Sequence, residues 1–527
     1  MSVRRARVGV IAVALVAAAA GAARAQDLRD RFNAKLSLTG LYVGEHQDLT
    51  NRALNEASST LSLGWGDLRA ILDARRLPGK FDLHVDARLR ATGDFDRERA
   101  YEGASQVSAR GYLGGREYDL RELYAIRRGE SVDFSFGRMY VVEADGIKID
   151  GLRLVGRFGK RHWEAGAFAG GYPNPYSRSL TTDYQGGKGY YGAQIAGGAT
   201  IAYTYDRYWG SLAAVGSYLG GNDDRGPLNV MTPTGRVAVE GTRSFLVWNG
   251  FERFTSWLDI YHSLVLDVAG AAGVQLTRLD AYATVRAGRF VTLRAGYDHL
   301  APIAIEMQLL ALLASRDTFV ASTVENNLIV QRTARDSGRL ELAVAWERLR
   351  VFGEGRVRYR SLVGATEQPQ LVRPNGDVIG PQLGWDATLG IRDGGSLRGV
   401  RLGLSYIYLD DYRATSHVLQ FELGRSFLDE RLTFDLNFLY AKTRDKGIST
   451  MPCNIFTSPL DLNCYGMRDG ASYETALTIT GQPGRRWFLL GDYRLVINQS
   501  EIAGGGMVQP RPLLFTHVLL LRLEARF

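Results

Sequence analysis

What most limits the fold of this chain is its period. After residue 25, segments of about 10–15 residues alternate apolar and polar side chains with period two, and the alternation continues to the last residue. In 432–440 one face carries Leu432, Phe434, Leu436, Phe438 and Tyr440, and the other Thr433, Asp435 and Asn437. In 383–392, Leu383, Trp385, Ala387, Leu389 and Ile391 oppose Gly384, Asp386, Thr388 and Arg392. In 81–90, Phe81, Leu83, Val85, Ala87 and Leu89 oppose Asp82, His84, Asp86, Arg88 and Arg90. A face charged at that density cannot pack in a dry core, and the apolar face cannot sit in water. Lipid on one side and water on the other satisfies both. A soluble sandwich would not keep one face so uniformly apolar for so long. No stretch after residue 25 approaches ~18 consecutive apolar residues, which excludes a transmembrane helix.

The texture is uniform. Proline is scarce (14) and glycine abundant (61), with 26 Tyr, 21 Phe and 8 Trp, and no Pro- or Ser-rich linker or block of like charge divides the chain. A length worth several ordinary domains thus reads as one all-β domain over 26–527, a transmembrane antiparallel β-barrel of about 18–22 strands. Short, charged or glycine-bearing turns are expected at 77–80, 128–130, 159–161, 206–207, 251–253, 288–289, 348–349, 393–395, 428–430 and 483–485. They alternate with long connections at 43–58, 92–115, 172–189, 220–235, 300–337, 363–381, 444–470 and 499–511, and with compact ones at 141–146, 269–273 and 410–414. Short turns on the periplasmic rim and long loops outside is the expected asymmetry.

The last segment, Leu513 to Phe527, sets Leu519, Leu521, Leu523 and Ala525 on one face and Thr516, Arg522, Glu524 and Arg526 on the other. A closing strand with a terminal aromatic resembles the C-terminal signature of bacterial outer-membrane β-barrels. The resemblance implies a Gram-negative outer membrane, with its lipid and lipopolysaccharide around the wall and the barrel-assembly machinery as a partner through Phe527. The other end agrees: Arg4, Arg5 and Arg7 precede the apolar run Val8 to Ala20, and Ala23-Arg24-Ala25 has the form of a signal-peptidase site, so 1–25 read as a signal peptide. Residues 1–25 hold Arg4, Arg5, Arg7 and Arg24 and no acid, so half of the net charge of +8 belongs to that segment. No basic-aromatic patch remains that would argue for nucleic acid.

Placing the strands in phase puts many charges in the lumen. Arg356, Arg358 and Arg360 form a ladder beside Glu354, and Arg88, Arg90, Arg278, Arg286, Arg294, Arg401 and Arg494 join the same face. Asp82, Asp86, Asp280, Asp298, Asp386, Glu422, Asp435, Glu474 and Asp492 share it. Guanidinium groups stay charged and grip carboxylate or phosphate bidentately, so the ladder could pass an anion from site to site. Alternatively, cross-strand Arg-acid pairs merely hold the wall and fill the lumen. Residues 136–155, FGRMYVVEADGIKIDGLRLV, resemble the strand-loop-strand unit of alginate-export-type porins. That resemblance implies an arginine-lined barrel exporting an anionic polysaccharide, with Arg138, Asp145, Asp150 and Arg153 at matching positions.

Three features stand apart. Residues 302–314 open with Pro302 and are rich in helix formers, which predicts a short helix in a long outer loop, as a lid on the mouth or as packing between loops. Cys453 and Cys464 in a polar stretch read as a disulfide closing a loop; half a metal site is the alternative, with no histidine near to complete it. An outer-membrane hydrolase would need a histidine beside a carboxylate, and Asp298 and His299, as strand neighbours, point to opposite faces. Nor is there a plug domain of about 150 residues before the first strand, as energised uptake needs, or a Cys-x-x-Cys-His for haem. The expectation is a non-enzymatic, passive channel without cofactor or metal, monomeric or trimeric, for anionic solutes or export of an anionic polysaccharide. The rival is a non-conducting structural or docking barrel of a trans-envelope assembly.

Overall fold

The structure is a computed structural model that describes residues 31–47, 59–94, 116–160, 162–173, 180, 184, 191–221, 229–232, 235–238, 242–269, 274–301, 333–362, 382–411, 414–446, 470–504, 507–510 and 513–527. The expected signal peptide, the 302–314 helix and the two cysteines lie outside these residues.

Strands β1 (Phe32–Gln47), β2 (Ser59–Leu77), β3 (Phe81–Asp94), β4 (Arg116–Arg128), β5 (Val132–Val141), β6 (Ile147–Phe158), β7 (Trp163–Gly171), β8 (Tyr191–Tyr205) and β9 (Tyr208–Gly221) pair in chain order. A separate hairpin, β10 (Asn229–Thr232) with β11 (Gly235–Ala238), precedes β12 (Thr242–Arg253), which pairs with β9. The wall continues through β13 (Leu258–Ala269), β14 (Gln275–Ala287), β15 (Val291–Leu300), β16 (Thr333–Trp346), β17 (Leu349–Leu362) and β18 (Gln382–Leu397). It ends with β19 (Val400–Asp410), β20 (Ala414–Phe427), β21 (Leu432–Asp445), β22 (Gly470–Gly484) and β23 (Trp487–Gly504); β24 (Met507–Pro510) pairs only with the end of β23. β25 (Leu514–Arg526) pairs with β23 on one side and with β1 on the other, from Lys35↔Arg526 to Gln47↔Leu514. That last ladder closes a 22-strand antiparallel barrel and leaves no sheet edge for lipid to meet.

All ten short turns fall on one rim, as expected, but several are displaced by one or more residues. Residues 251–253 remain in β12, and the chain turns at 254–257, where Thr255 Oγ1 accepts hydrogen bonds from the amides of Trp257 and Leu258 at 3.3 and 3.2 Å. Residues 393–395 form a bulge within β18, stabilised by the Ser396 amide donating to Asp393 at 2.9 Å, and the reversal comes at Arg398-Gly399, both with positive φ. Gly484 still pairs with Trp487, so that turn is 485–486. A side chain that satisfies backbone donors can extend a strand past the first charged or glycine residue. Local turn chemistry therefore misplaces an end by a few residues.

The outer surface is a hydrocarbon belt. Leu389 (66% exposed) and Leu383 (65%) alternate with lumen-facing residues, an arrangement that only lipid accommodates. Aromatic pairs sit on that surface towards both rims: Phe158–Trp163 and Phe427–Phe434 towards the turns, Trp385–Tyr408 and Tyr440–Tyr473 towards the loops. An apolar band between aromatic girdles on a closed antiparallel barrel is outer-membrane architecture, and the chain is an outer-membrane barrel.

Candidate functional site

Strand pairing decides which charges meet across the lumen wall. On β2–β4, Arg69 grips Asp86 bidentately at 2.8 and 2.6 Å, Arg88 reaches Asp119 at 3.1 Å, Arg90 reaches Asp67 at 3.1 Å, and Arg128 holds Asp82 at 2.9 Å. Asp259 on β13 accepts from Arg253 at 2.9 Å and from Arg286. Further round, Arg392 pairs with Glu422 at 3.0 Å, Arg401 with Asp435 at 2.6 Å, and Arg494 with Asp492 at 2.8 Å and Glu474 at 3.6 Å. In the ladder on β17, Arg356 and Arg358 share one carboxylate, Asp386, at 3.7 and 3.2 Å; Glu354 lies 3.3 Å from Arg356. The Arg360 side chain lies outside the described residues. Asp298 and His299 do face opposite ways: Asp298 accepts from Ser337 at 2.9 Å, while His299 pairs with Asp336 at 2.7 Å.

Residues 139–149 depart from the expected wall. There β5 and β6 leave the wall together: β4 pairs with β5 only as far as Arg138, and β7 with β6 only as far as Asp150, yet β5 and β6 go on pairing with each other to Val141↔Ile147. Expected as a compact outer connection, 141–146 instead folds into the lumen, closed by one 3-10 turn (Val142–Ala144) with the Gly146 amide donating to Val141 O at 3.0 Å. Gly137 is the pivot. Its φ is +122°, and a Cβ there would stand 2.2 Å from Leu123 O, so any side chain there is strained and forces the backbone to shift.

The infolded hairpin rests on an unusual part of the wall. Met139, Val141, Ala144, Ile147 and Ile149, all nearly or fully buried, pack on Phe168, Ala196, Ala213, Val215, Phe245, Val247 and Val265, which are the inward residues of β7–β9, β12 and β13. Side chains such as Val141 and Ile149, at 0% exposure, each contribute about 1.5–3 kcal/mol by this burial. Ion pairs fix the rest. Arg138 holds Asp150 bidentately, both bonds 2.6 Å, and donates to Leu120 O at 3.0 Å on the edge of β4 that the hairpin left uncovered. Arg153 reaches back to Glu143 at 2.7 Å, and at the tip Asp145 meets Arg278 of β14 at 2.5 Å. The four residues singled out at 136–155 are thus those that fold and clamp this hairpin, and Arg278, expected in an open row of arginines, is its clamp. The tethered hairpin takes up lumen space beside the charged wall that begins at β14.

No family model and no curated protein matches the chain. Solved structures similar to it include OccAB4 of Acinetobacter baumannii, covering 94% of this chain and 98% of its own at 10% identity and a TM-score of 0.36. OccK5 (OpdH) of Pseudomonas aeruginosa covers 94% and 99% at 10% identity and 0.39, and the ferric enterobactin receptor PfeA of Pseudomonas aeruginosa covers 94% and 80% at 9% identity and 0.46. At these identities they assign no role to any lumen residue of this chain.

Proposed function

We propose that this barrel is a passive outer-membrane channel for anionic solutes, with export of an anionic polysaccharide as the narrower form. The observation that carries the reading is the charge of the wall on β15–β19. There Arg294, Arg335, Arg339, Arg350, Arg356, Arg358, Arg392 and Arg401 face the lumen against Asp298, Glu341, Glu354 and Asp386. Arg294 has no carboxylate partner among the described residues and Arg339 only a 3.9 Å contact with Asp280, and several of these side chains stay wet: Arg350, Arg392 and Arg401 are each nearly half exposed. Forks that face water and are only partly neutralised can exchange a wall carboxylate for a solute carboxylate at little cost. The hairpin, clamped to Arg278 of β14, borders this sector. The likeness of 136–155 to alginate-export-type porins supports the polysaccharide form.

Single-channel recording of the refolded barrel tests this. Anion-over-cation permeability that falls when Arg356 and Arg358 are both replaced by Gln supports the channel. Silent bilayers from a barrel whose folding is confirmed by heat-modifiable gel migration, together with a co-purifying periplasmic protein, would replace it with the docking barrel.

A further inference from the structure

One row across the basic sector differs from its neighbours. Strand register aligns Tyr261 (β13), Tyr282 (β14), Gly296 (β15) and Arg339 (β16) side by side, and the row continues into Arg356. The Tyr261 and Tyr282 rings lie nearly parallel, 4.9 Å between centroids and 26° between planes. Gly296 makes the notch between ring and arginine: a Cβ there would fall 2.8 Å from Arg339 Nε, so the bare backbone lets Arg339 lie over the strand towards Tyr282, its guanidinium carbon 6.0 Å from the ring.

Arg294 covers the same ring from the turn side, with its guanidinium carbon 3.9 Å from the centroid. Its cross-strand neighbour Glu341 is already committed to Arg350 at 2.8 Å. Among the described residues no carboxylate lies within ion-pair distance of Arg294, and its Nε is buried with no hydrogen-bond partner. Arg339 has only a long contact, 3.9 Å, to Asp280. Stacking on Tyr282 fixes the guanidinium plane but leaves its in-plane donors unused.

We infer that Tyr261, Tyr282, Arg294 and Arg339 form a subsite for a carboxylate carried on a ring, resting on the channel reading for its supply of solute. The carboxylate takes the unused donors of Arg294 and Arg339, and the ring lies along the tyrosine pair. Tyr282 stands four residues to the turn side of Arg278 on β14, about 13 Å along the strand, so solute meets this subsite beside the hairpin. A uronate sugar and an aromatic acid both have this chemistry.

Calorimetric titration of the detergent-folded barrel with glucuronate, benzoate, acetate and glucose tests the inference. Glucuronate or benzoate binding at least about tenfold tighter than acetate, with glucose not binding, is expected; the tighter of the two names the source. Arg294→Gln is expected to weaken that ligand about tenfold, the loss of a charge-assisted bond, and Tyr282→Leu severalfold, while Arg207→Gln in a distant turn changes nothing. Arg294→Lys, which keeps the charge without the fork, recovers only part of the affinity. Acetate bound as tightly as the ring acids, or Arg294→Gln without effect in a barrel that is folded by gel shift, would overturn it. Parallel bilayer recordings keep the two readings apart: ring-acid binding without conductance removes the channel and leaves the subsite, whereas anion-selective conductance with no ring preference removes the subsite alone.

Discussion

Two arcs of the same inner wall obey opposite rules. Over β14–β19 guanidiniums and carboxylates crowd the inward positions and most meet across a strand, as Arg356 and Arg358 meet Asp386, while Arg294 is left without one among the described residues. Over β8, β9, β12 and β13 the inward positions at mid-height are Ala196, Ala213, Val215, Val247 and Val265, each buried under the infolded hairpin. Water covers the first arc and protein covers the second. A barrel strand needs lipid-facing apolar residues on its outside only, so apolar residues on both faces mark wall that something else must cover. The hairpin and the arc are complementary: its Met139, Val141, Ile147 and Ile149 would otherwise leave apolar surface in the lumen.

That contrast can be broken at several points. The largest effect is expected from Ile149→Asp, which buries an unpaired carboxylate in the seam at a cost above about 4 kcal/mol. The hairpin should detach and single-channel conductance rise severalfold, with gel migration still that of a folded barrel. Conductance at the parent level would mean the hairpin does not limit flow. Next comes Arg138→Ala: Asp150 keeps Tyr184 Oη at 2.5 Å but loses both guanidinium bonds, and Leu120 O loses its donor. Breaking a pair whose arginine is 6% exposed costs about 3 kcal/mol, read as a lower urea midpoint and faster protease cleavage within 139–149; a midpoint equal to the parent's would show the pair is replaceable.

Gly137→Ala should cost about 1–3 kcal/mol through its left-handed φ and the close Leu123 O, with hairpin cleavage rising before global unfolding; simultaneous loss of both would mean that the glycine serves the whole wall. In the charged arc, Asp386→Asn removes the carboxylate shared by Arg356 and Arg358 and should raise anion preference, opposite in sign to replacing those arginines. A shift towards cations would assign the selectivity elsewhere. The smallest change is Arg401→Gln: its pair with Asp435 is about half exposed, so stability should fall by less than about 1 kcal/mol and the difference should vanish in 1 M salt. A loss persisting at high salt would show a packing role.

Period-two alternation is a property of each strand alone, and with the turn signals it was enough to read the barrel, a strand number of about 18–22 that includes the observed 22, and the gathering of short turns on one rim. The outward faces of 81–90, 383–392 and 432–440 followed from it directly. The turns near 251–253 and 393–395 slipped because hydrogen bonds of Thr255 and of Asp393 with Ser396 lengthen the strands, and those bonds depend on geometry as well as residue type. The infolding of 139–149 escaped entirely. Its one sequence signal is on other strands, in the small or apolar inward residues around Ala196, Ala213 and Val247, which mean nothing until β5–β6 and β8–β13 are known to face each other.

The sequence therefore determined this protein's solvent: alternation sorts side chains between lipid and water, and sorting is a local act. Only the closed tertiary structure decided the partners. Which arginine shares which carboxylate depends on register, and Asp145 meets Arg278, 133 residues away, because a hairpin that leaves the wall can cross the lumen to it. Contacts made through the interior of a barrel join residues that neither period nor spacing relates.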